Sequence, residues 1–366
     1  MTKQKDIGIL TFHNACNYGA FLQAKALQDK LEEYPDTTAY IIDYKNKKVV
    51  EDYSLAGVFN LKNGLKTTIL KTLRLKDIIK RNRIFAKFQK ETFKLIDFDD
   101  TRKIEKLHKV SVGSDQVWGP HITDADDTYF LPFAKPSQRV SYAASAGRID
   151  DGFDDGLFKR MLGDFSAISV REAELKDRLC ANELNKDISV VLDPVFLKSK
   201  EKWEAYAEKD KAYPKEYILI FLMGVTKQAD YIVNRALEIG QQQGVEVILL
   251  GDQERWYKYR NVKHFGVASP KQFVNLISNA KCVFTNSFHA TAFSIILNTP
   301  FYIEMNIKNN GRLKSLLGLT GLESRMMFDG VASDGYSEEI EWQEVEEKLA
   351  VEIQKSSEFV ENNIIR

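Results

Sequence analysis

Residues 6–44 read DIGILTFHNACNYGAFLQAKALQDKLEEYPDTTAYIIDY. An apolar run over 6–12 breaks at His13-Asn14-Ala15-Cys16-Asn17-Tyr18-Gly19, after which Leu22, Ala26, Leu27 and Leu31 recur at helical spacing. A second apolar run, 39–44, follows directly. Strand, helix and strand in that order predict a parallel sheet with a right-handed crossover. Short, turn-bounded apolar runs repeat the theme at 110–112, 140–144, 167–170 and 189–192. From Tyr217 the pattern restarts, with a strand over 217–223, a helix through 229–239 and a strand over 245–250. The fold class is therefore α/β, in two similar halves, and 366 residues exceed what one hydrophobic core usually fills. The stretch from Asp193-Pro194 to Tyr213-Pro214 is polar and Lys/Glu-rich around Trp203, as an interdomain connection would be. The domains are expected at 1–210 and 211–366, the second closing with an amphipathic helix that carries Ile340, Val345, Leu349, Ile353 and Val360.

The 52 Lys plus Arg balance 52 Asp plus Glu, so no global basic field gathers nucleic acid, and an anionic ligand must meet a local positive site. No apolar stretch reaches the roughly 20 residues that a bilayer-spanning helix needs, and no signal-type segment follows the polar start, so a cytoplasmic protein is expected. Cys16, Cys180 and Cys282 are far apart and in no metal-ligand spacing. One local departure from neutrality stands out over 71–90: on a helix, Lys76, Lys80, Arg83, Lys87 and Lys90 share one face, opposite Ile78, Ile84, Phe85 and Phe88. That face suits either plain solvation or peripheral contact with a membrane or another polyanion.

The polar strand ends are where ligands bind in a parallel α/β sheet. Asn14, Asn17, Tyr18 and Gly19 lie where the first strand hands over to the first helix; the same residues also suit a turn that caps it. Ser114, Asp115, Gln116 and Trp118 end a second strand, either as ligand groups or as a packed Trp beside a capping Asp. Ser145 ends a third, and Arg171 follows a fourth at the start of a helix, as a clamp for carboxylate or phosphate or as the partner of Arg178 or Glu172 in a surface ion network. Thr285, Ser287 and His289 occupy a strand-to-helix turn where hydroxyls, backbone N–H groups and an imidazole converge, which suits proton transfer beside an anion. Lys308, Arg312 and Lys314 flank Asn309-Asn310-Gly311 as further candidate cations. Asp124, Asp126 and Asp127 have no recognisable metal-ligand arrangement, and no metal site is expected.

Taken in order, the stretches 13–28, 113–118, 141–147, 169–172, 192–194 and 285–292 resemble the polysaccharide pyruvyl transferase family. The resemblance spans about residues 6–320. It implies a GT-B-like pair of Rossmann-type domains facing across a cleft, phosphoenolpyruvate as donor substrate, and a sugar diol of a glycan or lipid-linked glycan as acceptor. The products would be a pyruvate ketal and phosphate, with no cofactor. It also implies catalysis by the histidine matching His289 and donor binding by basic residues, one of which looks like Arg171. Some members carry arginine two residues before this histidine, where this chain has Ser287, so the donor's charge would fall to Lys308 or Arg312. The competing expectation is a nucleotide-sugar-dependent glycosyltransferase of the same architecture, because paired α/β domains do not choose a donor.

Overall fold

The computed structural model describes residues 4–53, 75–149, 153–182, 184, 186–208, 216–223, 227–251, 259, 261–305, 311–332, 336–337 and 339–366. The chain forms two compact units. One combines residues 1–52, 89–198 and 347–366; the other combines 53–88 and 199–346. The expectation of 1–210 and 211–366 differs in three places: the change falls at Lys198/Ser199, residues 53–88 join the second unit, and the C-terminal segment returns to the first.

In the first unit the strands are β1 (Lys5–Leu10), β2 (Thr37–Asp43), β3 (Leu95–Asp97), β4 (Lys109–Val112), β5 (Arg139–Ala144), β6 (Ala167–Val170) and β7 (Ile188–Val190). They order β3-β2-β1-β4-β5-β6-β7 and every pairing is parallel. The second unit holds β8 (Tyr217–Phe221), β9 (Glu246–Leu250), β10 (Lys263–Phe265), β11 (Cys282–Thr285), β12 (Phe301–Glu304), β13 (Met326–Phe328) and β14 (Val331–Ala332). Its order, β10-β9-β8-β11-β12-β13-β14, repeats the first sheet's topology, with only the β13–β14 pairing antiparallel. In each sheet the order reverses at one seam, β1/β4 or β8/β11, the place where an open α/β sheet leaves a crevice beyond its carboxyl ends.

The helices that matter below are α1 (Tyr18–Glu32), α2 (Leu75–Thr92), α3 (Pro270–Ser278), α4 (Phe288–Ile296), α5 (Gly311–Thr320) and α6 (Trp342–Val360). Central strands buried on both faces read as unbroken apolar runs, and Tyr217–Phe221 is buried along its whole length. The stretch expected to be a polar connector is instead partly folded: Ser199 caps a helix at Lys200–Tyr206 whose Trp203 is fully buried, edge-on to Phe293 of α4 at 4.9 Å. Its one buried side chain is the ring of Trp203, among Lys and Glu that stay at the surface. The closing amphipathic helix forms as α6, with Val345, Leu349 and Val360 buried.

Candidate active site

At the β8/β11 seam, the turn from β11 into α4 is built from its own polar side chains. Thr285 donates its hydroxyl to the Phe221 carbonyl of β8 at 2.5 Å and accepts the Ser287 N–H at 3.0 Å. Asn286 reaches across the seam, accepting from the Met223 N–H at 2.7 Å and donating to the Met223 carbonyl at 3.1 Å. Ser287 is the N-cap, its hydroxyl accepting from the Ala290 N–H at 3.4 Å. Thr285 and Ser287, read as donor-binding candidates, also build this turn with their hydroxyls. What the turn presents is His289, second residue of α4 and only 8% exposed. Its ring stands edge-to-face on Phe288 at 5.3 Å, and the Arg312 guanidinium at the start of α5 lies 5.9 Å from the centre of that same Phe288 ring. An imidazole, a guanidinium and the positive end of a helix thus gather around one aromatic side chain. Lys314 is exposed two residues further on, and Lys308 lies outside the described residues.

Glu304, which the sequence reading missed, ends β12 one residue beyond Ile303, the partner of Thr285. It accepts the backbone N–H groups of Asp329 at 2.9 Å and Gly330 at 3.1 Å, tying down the β13–β14 hairpin. Burial pushes its carboxyl up to about 7, against the opposing pull of those two hydrogen bonds. The folded protein holds this proton more tightly than the unfolded chain, so Glu304's contribution to stability is full below pH 4.5 and is lost as pH rises through about 7. Glu304→Gln is expected to flatten the fall in urea midpoint across that window; an unchanged pH slope would show that another group controls it.

At the β1/β4 seam, Thr11 donates to the Ser114 carbonyl at 3.0 Å and accepts from Gln23 at 2.8 Å. Gly113 has φ +108°, and a Cβ there would collide with the Tyr142 carbonyl, so the strand end is closed to any side chain. Asp115 follows in the left-handed region at φ +79°, its Oδ1 accepting the Gln116 N–H at 2.8 Å. Arg171 is buried, bonded to Asp193 Oδ2 at 2.7 Å and 3.6 Å from Asp115 Oδ1. Burial opposes its charge, but Asp193, Asp115 and Glu172 outweigh that and raise its pKa. The Ser114 hydroxyl lies 2.9 Å from the same Asp193 oxygen, and Ser145 donates to Glu172 at 2.8 Å. Arg171 is thus no surface ion pair, and Arg178 pairs with Asp155 instead. Its guanidinium bonds the carboxylate of Asp193 and lies beside that of Asp115, at two separate strand ends.

Two further candidates take their structural alternatives. Asn17 caps α1, accepting the Ala20 N–H at 3.1 Å, with Tyr18 and Gly19 as the first residues of that helix. Trp118 is core: it stacks on Phe130 at 5.8 Å and donates to the Tyr129 carbonyl at 3.0 Å. Gln116 packs over Gly147. Asn14 differs, because its side-chain amide nitrogen is buried with no acceptor among the described residues, which leaves a donor for a ligand at this rim. Nearby, His13 bonds Asp43 at 3.0 Å, and that hydrogen bond holds the Asp43 carboxyl down to about 2. Asp126 accepts from Tyr44, Asn46 and the Thr128 N–H, and among the described residues no group of three His, Cys, Asp or Glu is arranged to hold a metal ion.

Two sheets of identical Rossmann order, each with its polar groups collected at the seam, define a GT-B-like α/β protein of two Rossmann-like units. The family model for polysaccharide pyruvyl transferase matches residues 17–304, and the chain belongs to that family. Among solved structures, it is similar to a UDP-GlcNAc 2-epimerase from Neisseria meningitidis bound to UDP-GlcNAc, at 12% identity and TM-score 0.52 over 97% of this chain and 93% of that one. A UDP-GlcNAc 2-epimerase from Methanocaldococcus jannaschii in complex with UDP-GlcNAc and UDP is 13% identical, at TM-score 0.51 over 97% and 94% of the two chains. At such identities the likeness concerns the fold. No curated protein sequence matches the chain.

Proposed function

We propose that the protein transfers the enolpyruvyl unit of phosphoenolpyruvate to two hydroxyls of one sugar in a cell-surface polysaccharide or its lipid-linked precursor, giving a pyruvate ketal and phosphate. The bond from C2 to the phosphate oxygen breaks and two bonds from C2 to sugar oxygens form. One hydroxyl proton ends on the former methylene carbon and the other on phosphate, so the reaction balances without a redox step. The observation that carries this reading is His289 on the first turn of α4, with Arg312 against the same Phe288 ring. The imidazole passes protons between hydroxyl and methylene carbon, while Arg312 and the helix start meet the donor's negative charge. Arg171 is a positioning residue that holds Asp115 and Asp193, and Asn14 offers a donor to a substrate oxygen. Lys308 remains a candidate for the second cation. A lipid-linked acceptor would bring the reaction to the inner face of the membrane.

The fold shared with epimerases bound to UDP-GlcNAc favours a second reading, a glycosyltransferase with a nucleotide-sugar donor. Thermal denaturation separates the two. Phosphoenolpyruvate at 100 times its Kd is expected to stabilise the protein by about 2.7 kcal/mol, with UDP without effect. Stabilisation by UDP alone would transfer the argument to the glycosyltransferase.

A further inference from the structure

The basic stretch picked out from the sequence forms α2, and its cations are arranged more narrowly than its composition requires. At 3.6 residues per turn, Lys76, Lys80, Arg83, Lys87 and Lys90 fall within about 80° of arc along roughly 21 Å of helix. All five are exposed, while Phe85, on the opposite side of the helix, is fully buried. The acidic residues of the helix, Asp77 and Glu91, lie outside the arc. Lys76, Lys80, Arg83 and Lys90 form no ion pair with a carboxylate among the described residues. A protein of formal net charge +0 thus carries a row of positive charge along one face of this helix.

We infer that this edge of α2 is a docking surface for an anionic lipid bilayer. A straight row of cations matches a flat sheet of negative headgroups, where each Lys or Arg adds about five-fold to the partition coefficient at low salt. No aromatic or aliphatic side chain shares the arc, so the contact is adsorption by charge, without insertion into the acyl region. The absence of a stacking ring among the cations makes single-stranded nucleic acid a poorer fit. The inference does not depend on which group the enzyme transfers.

Vesicle sedimentation tests it, using phosphatidylcholine vesicles with and without phosphatidylglycerol. The protein should bind only the phosphatidylglycerol vesicles and be released when salt rises from about 0.1 M to about 1 M, as the Debye length falls from about 10 Å to about 3 Å. The triple variant Lys76→Glu, Lys80→Glu, Arg83→Glu should lose at least about 100-fold in partition. A control with the same change in net charge, Arg102→Glu, Lys106→Glu, Arg160→Glu, places the reversals on exposed residues elsewhere and should bind as wild type does. Both triple variants should melt like the wild type. Equal loss of vesicle binding in both triples would overturn the inference, and so would binding to soluble heparin without binding to vesicles.

Discussion

Replacing His289 with alanine should lower pyruvyl transfer by about 10²- to 10⁴-fold, the range that a positioned general acid-base supplies. The loss should fall on kcat. Affinity for phosphoenolpyruvate should change much less, because the proposed site leaves the donor's charge to Arg312 and the N-terminus of α4. His289 is 8% exposed, so a melting curve must show that the variant is folded, and His289→Gln keeps most of the volume where alanine does not. Steady-state phosphate release with varied donor separates kcat from KM. A variant that turns over within a few-fold of wild type would remove the histidine from the chemistry.

Arg171→Met should act on the fold first. Asp193 is 1% exposed and Asp115 8%, so removing the guanidinium strands two buried carboxylates and should cost about 3–5 kcal/mol of unfolding free energy. Adding Asp193→Asn and Asp115→Asn should recover part of that loss, because neutral amides do not need the cation. Urea denaturation measures both. A clamp that merely touched the donor would behave otherwise: stability near wild type, with a raised KM for phosphoenolpyruvate.

These two arginine and histidine positions show what was legible in the sequence. The alternation of short apolar runs with helical spacing revealed most of the first sheet and the centre of the second, because a doubly covered parallel strand must be apolar throughout and its crossover helix must be amphipathic; the short strands β3, β10, β12, β13 and β14 went unread. The polar strand ends were legible for the same reason, as interruptions of those runs. What each polar group does there was not. Asn17, Ser287 and Thr285 have the side chains of ligand residues and of helix caps alike, and only the positions of the Ala20 and Ala290 N–H groups and the Phe221 carbonyl decide between the roles. Arg171 meets Asp193 across 22 residues and His13 meets Asp43 across 30, so neither partnership leaves a local trace. Glu304 offered one weak sign, an acid closing the apolar run Phe301–Glu304. Trp203 was misread because six flanking charges or polar groups say nothing of the one side chain that faces inward.

The most direct test of the proposed chemistry incubates the purified protein with phosphoenolpyruvate and a glycan acceptor, following acceptor mass and inorganic phosphate together. One pyruvate ketal should appear for each phosphate released, with no nucleotide required. Acceptor modification that proceeds only with a nucleotide-sugar, leaving phosphoenolpyruvate intact, would contradict it.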